Sequence, residues 1–216
     1  MSYSRLLATW DIDVAKHPRS ALLMNTPANS LTPTRPEIVV GVTGGVAAYK
    51  TAGLVSGLVQ AGYGVTAVLT PAAEEFIGAA TFAALTARPV ATKTFEPSAF
   101  PLGAHIELAT RATLLVVAPA TADFLAKTAG GHADDLLTTL YLAFTGHVMF
   151  APAMNSAMWE KKSVQRNVAQ LVADGVQMIG PESGWLSCRQ SGAGRMSAPE
   201  VIRAVIDAHF ASQSSA

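Results

Sequence analysis

Charge is scarce in this sequence. Of its 216 residues only 14% are charged, and 15 basic side chains balance 15 acidic ones. Nucleic-acid binding through phosphates needs a basic stripe, and the sequence has none, so that class is excluded. Cysteine is almost missing: Cys188 is the single thiol, which rules out an intrachain disulfide and fits a reducing, cytoplasmic setting. Long apolar runs are missing as well. None reaches the ~20 residues of a membrane span, and Ala21-Leu-Leu-Met24 lacks the length and the small-residue cleavage site of a secretory signal. No internal repeat stands out, and no metal site is expected. What the chain has is apolar bulk. Half of it is hydrophobic, enough for one well-filled domain, and so little charge leaves apolar surface that self-association would cover.

Asn25-Thr-Pro-Ala-Asn-Ser-Leu-Thr-Pro-Thr-Arg-Pro36 can bury little. Residues 1–37 are therefore expected to form a poorly ordered extension, followed by a domain over 38–212 and a tail at 213–216. The domain opens with Ile38-Val-Val-Gly-Val42, a β-branched run of the kind buried in parallel sheets. A helix follows over 47–61, with Leu54, Leu58 and Val59 on one face. Then come a strand at 65–69, helical segments at 72–77 and 79–86, a weak strand at 89–94 and a helix at 104–110. The strongest apolar strand, 113–118, precedes helices at 124–129 and 134–144. Strand 148–150, helix 164–173, strand 176–179, a glycine-rich loop 184–196 and helix 199–210 complete the chain. Pro152 is expected to stop the strand before it. This alternation predicts a three-layer α/β domain, its central parallel sheet covered on both faces.

Ligands of such sheets bind beyond the carboxyl ends of the strands, and three ends here are unusual. At the first, Gly44, Gly45 and Val46 lead from a strand into a helix N-terminus. Backbone N–H groups and the helix dipole favour a phosphate there, and glycine permits close approach; a plain tight turn is the alternative. The spacing is not G-x-G-x-x-G, and the second strand ends on Thr70-Pro71 instead of an acid that could hold a ribose. A mononucleotide therefore fits better than a dinucleotide. Thr70 either offers its hydroxyl to that ligand or caps the next helix. At the second end, Ala120, Thr121, Ala122 and Asp123 would let a flat ring lie close to the backbone, or Thr121 or Asp123 is a helix cap. The third end is Ala151-Pro-Ala-Met-Asn-Ser-Ala-Met-Trp159. An amide among methionines and a tryptophan must pair its donors and acceptors, because a bare one costs roughly 1–3 kcal/mol. Asn155 is either satisfied by its own turn or a clamp on a ligand. Two reactive groups complete the set. His105 falls in a helix first turn, where the dipole disfavours the imidazolium. Cys188 sits among glycines and arginines that suit a mobile, anion-friendly loop, although a free, unreactive cysteine is the alternative.

Several of these segments together carry a resemblance. They are Gly41-Val-Thr-Gly-Gly-Val-Ala-Ala-Tyr-Lys50, His105-Ile106, Pro119-Ala-Thr-Ala-Asp-Phe-Leu-Ala-Lys127, Gly131-His-Ala-Asp-Asp-Leu-Leu137, Pro152-Ala-Met-Asn-Ser-Ala-Met-Trp159 and Gly192-Ala-Gly-Arg-Met196. They resemble the homo-oligomeric flavin-containing cysteine decarboxylases, over about residues 38–210. The His-Ile pair and the Pro-x-Met-Asn-x-x-Met-Trp box are the most specific parts. The resemblance implies a Rossmann-like (flavodoxin-like) subunit that binds FMN and assembles as a trimer or a dodecamer made of trimers, with the site between subunits. It gives the FMN phosphate to Gly44, Gly45 and Val46, and the rest of the cofactor lining to Thr70, Ala120, Thr121, Ala122 and Asp123. Asn155 matches the group that binds the substrate carboxylate; Met158, Arg195 and Met196 match the substrate lining, and residues 184–196 the loop that closes over it.

The same resemblance implies a reaction. His105 matches the base of an oxidative half-reaction that turns a cysteine thiol into a thioaldehyde, from which CO2 leaves. Cys188 matches the proton donor of the reductive half that returns the enethiolate to a thiol. In the coenzyme A branch the substrate is 4′-phosphopantothenoylcysteine and the product 4′-phosphopantetheine. Lantibiotic-type peptidyl-cysteine decarboxylases share the histidine and the Asn box but stop at the enethiol and lack the cysteine. Cys188 thus favours the coenzyme A branch. Two departures weigh the other way. No synthetase-like domain follows Phe210, which leaves the ligase to another gene, and Arg189-Gln-Ser191 replace the usual small or acidic residues. A non-catalytic flavoprotein acting as a regulatory subunit is the third reading.

Overall fold

The computed structural model describes residues 35–96 and 98–213. Most of the expected N-terminal extension (1–34) and the tail at 214–216 lie outside the described residues. Strands β1 (Glu37–Val42), β2 (Gly64–Leu69), β3 (Leu114–Ala120), β4 (His147–Pro152) and β5 (Gln177–Met178) form one parallel sheet in the order β2-β1-β3-β4-β5. That is the flavodoxin-like order, and its topological switch point lies between β1 and β3. The period of two along β1 splits the core in half. Ile38, Val40 and Val42 face helices α1 (Ala48–Gln60), α3 (Ala79–Thr86) and α9 (Pro199–Gln213), while Val39 faces the opposite layer. That layer holds α4 (Ala104–Arg111), α5 (Ala122–Ala129), α6 (Leu136–Ala143) and α8 (Lys162–Ala173). Because both faces are covered, every residue of β2 and β3 is buried, and the strands read as unbroken apolar runs. Single turns, α2 (Pro71–Glu74) and α7 (Ser156–Trp159), follow β2 and β4. The weak strand expected at 89–94 shrinks to one parallel bridge, Val68 to Ala91.

Two expectations fail in an informative way. Pro152 does not stop its strand; it is the last residue of β4 and pairs with Ala120 across a register shift that follows Val117. Beyond that shift the ladder asks no donor of Pro152, and the next N–H, of Ala153, reaches the Ala120 carbonyl at 3.0 Å. The shift strands the carbonyls of Ala118 and Pro119. Two buried threonines take them, Thr51 Oγ1 donating to Ala118 and Thr43 Oγ1 to Pro119, each at 2.6 Å. A buried carbonyl left bare would cost about 1–3 kcal/mol. These bonds tie the carboxyl end of β1 and the helix after it to the carboxyl end of β3, at the switch point.

The second failure is the glycine-rich loop at 184–196. Most of it is an antiparallel hairpin, β6 (Glu182–Trp185) with β7 (Ser191–Arg195). Gly184 pairs with Gly192, and Arg195 bonds Glu182 across the strands at 2.9 Å. Glycine is a poor strand former in isolation. Here the backbones must pass close to other groups: a Cβ on Gly194, whose φ is +121°, would lie 2.3 Å from the Met154 carbonyl oxygen. Gly194 instead accepts the Met154 N–H at 2.9 Å, which docks the hairpin on the end of β4.

At the amino edge of the sheet, His147 of β4 stacks on His209 of α9, ring centroids 4.4 Å apart. Burial, and then the neighbouring His147, push the His209 pKa below its ordinary value. The folded state therefore binds fewer protons here than the unfolded chain, and its stability falls as pH drops through the ordinary histidine range. The thermal midpoint should decline between about pH 7.5 and 5.5, above the carboxylate range. His209→Gln should flatten that slope; an unchanged slope would exclude the stack as its source.

Candidate active site

Each of the strands β1 to β4 ends at the wall of one cavity of about 900 Å³ on the carboxyl edge of the sheet. The size is at the upper end for small-molecule sites, about 300–1,000 Å³. Thr43 to Ala47 come from the β1 end, Thr70 to Ala72 from β2, Thr121 to Phe124 from β3 and Ala153 to Asn155 from β4. The hairpin adds Trp185 to Cys188 and Gly194 to Met196.

Four strand-to-helix corners thus border the cavity, and they differ in one respect. Thr70 caps α2, its hydroxyl accepting the Ala73 N–H at 3.2 Å. Thr121 caps α5 by accepting from Phe124 at 3.3 Å, and Asn155 caps α7 by accepting from Met158 at 2.8 Å. At the fourth corner, Ala47 has no side chain that can cap α1. The Ala48 and Lys50 N–H groups turn to the Gly45 and Ala47 carbonyls, and with no side chain over its end α1 is the corner where an external anion meets an open helix N-terminus and a favourable dipole. Gly44 is required by the packing of this corner: a Cβ would lie 2.4 Å from Ala72 Cβ and 2.8 Å from the Ala72 carbonyl. At Gly45 the nearest atom would be Thr121 Cγ2 at 3.5 Å, an ordinary contact.

Of the residues singled out in the sequence, Gly44, Gly45, Val46, Thr70, Thr121, Ala122, Asp123, Asn155, Met158, Cys188, Arg195 and Met196 all line this cavity. Ala120 does not: it is buried, and its carbonyl is used by Ala153. Asn155 is not in the greasy setting its neighbours imply. It is exposed, and because Oδ1 caps α7, its amide donors are the groups left to face a ligand. Both readings of that residue are thereby compatible. Cys188 sits exposed in the hairpin turn on the cavity rim.

His105 is outside the cavity. It occupies the first turn of α4, half-buried, on the layer of α4 to α6, with its Nδ1 buried and without a hydrogen-bond partner. Within ten residues of it in the chain, Phe95, Leu102 and Ile106 are exposed by 88%, 74% and 48%.

Sequence reasoning missed the charged wall. Lys127 Nζ lies 2.9 Å from Asp134 and 3.4 Å from Asp123. The Asp134 carboxylate raises the Lys127 pKa, and Lys127 lowers that of Asp134. The i, i+4 spacing of Asp123 and Lys127 was visible, but Asp134 joins them only through the fold. Lys50 was missed too, in the first turn of α1.

A flavoprotein family model, described as Flavoprotein, matches residues 26–211. The chain belongs to that family. Among curated relatives, this flavoprotein is 43% identical over 179 residues to the coenzyme A biosynthesis bifunctional protein CoaBC of Bacillus subtilis (strain 168). The match covers 83% of this chain and 44% of the relative, so the chain spans less than half the length of that protein. Among solved structures, a PPC decarboxylase cysteine-to-serine variant complexed with pantothenoylaminoethenethiol superposes with a TM-score of 0.73 at 28% identity, over 82% of this chain and 98% of that one. The FMN-dependent cysteine decarboxylase SpaF gives 0.65 at 33% identity, over 74% and 89%.

Proposed function

We propose that this flavoprotein is an FMN-dependent decarboxylase that converts 4′-phosphopantothenoylcysteine to 4′-phosphopantetheine in coenzyme A biosynthesis. One observation carries the reading: a single cavity holds the uncapped α1 corner, suited to a phosphate, together with the Asn155 amide and the Cys188 thiol. The kinship to CoaBC, to PPC decarboxylase and to SpaF supports it. Residues 38–212 make up the FMN-binding unit on this reading, and the protein works in the cytoplasm.

The cofactor phosphate would sit at Gly44, Gly45 and Val46, with Thr70 and the stretch Ala120 to Asp123 beside the rest of it. Bound FMN supplies reversible acceptance of two electrons. Asn155 holds the substrate carboxylate through its amide donors, with Met158, Arg195 and Met196 around the substrate. His105 accepts a proton in the oxidative half, and Cys188 returns one to the enethiolate after CO2 has left. For His105 to act, a second copy must bring it to the cavity of the first. The exposed Phe95, Leu102 and Ile106, near His105 in the chain, are apolar surface such an assembly would cover, in a trimer or a dodecamer made of trimers. Light scattering distinguishes these from a monomer.

The direct test is flavin absorbance of the purified protein and a decarboxylation assay with 4′-phosphopantothenoylcysteine. A colourless protein that takes up no FMN would defeat the proposal; conversion of a peptide ending in cysteine to an aminoenethiol instead would move it to the peptide branch. Asn155→Asp separates the cap from the clamp. It keeps the acceptor that caps α7 and replaces the donors by a charge that repels a carboxylate. Hydrogen bonds to charged groups contribute about 1.5–3 kcal/mol, so kcat/KM should fall roughly 10–100-fold or more while flavin content is retained. Undiminished turnover would remove Asn155 from the substrate site.

A further inference from the structure

We propose that Lys50 recognises the phosphate of the substrate, in a second hollow that continues the active-site cavity. This rests on the reading above, in which cofactor and substrate each carry a phosphate. The α1 corner can seat one of them. The other needs a cationic side chain, because a phosphate monoester carries about −1.5 to −2 charge near neutral pH.

Three cations border the cavity: Lys50, Lys127 and Arg195. Lys127 is committed to two carboxylates, Asp134 and Asp123. Arg195 is committed to one, Glu182, at 2.9 Å. Among the described residues Lys50 has no carboxylate within ion-pairing distance; its Nζ donates only a long bond, 3.4 Å, to the carbonyl of Met196. It is half-buried, so its charge is partly desolvated without a counter-ion. An anion that arrives there meets a less screened cation than it would at the surface.

The position of Lys50 says where that anion comes from. A hollow of about 430 Å³ lies beside the main cavity, and Tyr49, Lys50, Arg195 and Met196 line both. Lys50 therefore stands at the junction together with Arg195, whose ion-pair partner Glu182 also lines the second hollow. A substrate held at its cysteine end by Asn155 would thread its pantothenoyl arm towards this junction and leave its phosphate at Lys50. A peptide ending in cysteine has no such group to place there. Lys50 is thus a specificity-determining residue, and it selects a phosphorylated small molecule over a peptide.

The test compares 4′-phosphopantothenoylcysteine with pantothenoylcysteine on the flavin-loaded protein, by KM and by calorimetric binding. The wild type should prefer the phosphorylated form. In Lys50→Gln that preference should collapse by roughly 10–100-fold, the range of a lost charge-assisted contact, through KM rather than kcat. Lys50→Arg should keep most of it, and flavin absorbance reports that each variant is folded. A wild type without preference, or a Lys50→Gln protein that keeps it, would overturn the proposal. If neither compound is decarboxylated but the phosphorylated one still binds tighter through Lys50, the assigned reaction fails and the phosphate site stands.

Discussion

Gly44→Ala should yield a protein that purifies without flavin. The added methyl would meet Ala72 at 2.4 Å through its Cβ and at 2.8 Å through its backbone, and neither atom belongs to a flexible side-chain end. Something must move: either the β1–α1 corner or the Thr70–Ala72 turn. Both form the cavity wall, so relief of the clash displaces the groups proposed to hold the FMN phosphate. Overpacking of this kind costs typically ~1–3 kcal/mol, which lowers the thermal midpoint without unfolding a domain of this size. Gly45→Ala is the matched control, since its nearest contact would be an ordinary 3.5 Å to Thr121 Cγ2. Absorbance of the two purified variants, before and after added FMN, reads the difference. Equal flavin content in Gly44→Ala and wild type would show that this corner does not carry the cofactor phosphate.

Cys188→Ser should separate the two halves of the proposed reaction. The residue lies on the hairpin turn, exposed, and its side chain supports no packing, so the substitution leaves the fold and the other cavity residues in place. A serine hydroxyl is a far weaker acid than a thiol. It cannot deliver a proton to the enethiolate at a useful rate, and loss of a positioned general acid costs roughly 10²–10⁴-fold. CO2 should still be released in the first turnover, and the organic product should be an unsaturated aminoenethiol, lighter by one H2 than the thiol. Mass spectrometry of a single-turnover reaction detects it. Formation of the saturated product at the wild-type rate would remove Cys188 from the reductive step.

Much of this architecture was legible because it is locally encoded. A fully buried parallel strand announces itself as a β-branched run, and Ile38 to Val42 and Leu114 to Val117 do so. Corner residues are equally local: small side chains after β3, a glycine pair after β1, and an Asn before a turn of helix. What escaped was set by contacts between distant segments. The hairpin is not legible in the sequence because glycines at 184, 192 and 194 are poor strand formers alone; they are there for close approach to Arg195, Ser156 and Met154. Pro152 looks like a stop in the sequence, but its missing donor matters only where the ladder requires one, and a register shift removes that requirement.

The cavity corner built on Ala151 to Trp159 illustrates the same division. The sequence by itself determined the layers, the order of strands and helices, and the set of side chains at the carboxyl ends, since periodicity and end signals act within a few residues. Only the tertiary structure decided how those side chains are used. Asn155, Thr70 and Thr121 spend an oxygen each on capping, and α1 alone among the four corners has no side-chain cap over its end. Lys127 is neutralised by carboxylates four and seven residues away, Lys50 is not, and His105 stands outside the cavity that its motif partners share. The reason is physical: a hydrogen bond or an ion pair is settled by which groups meet in space, and those pairings span up to 146 residues of chain.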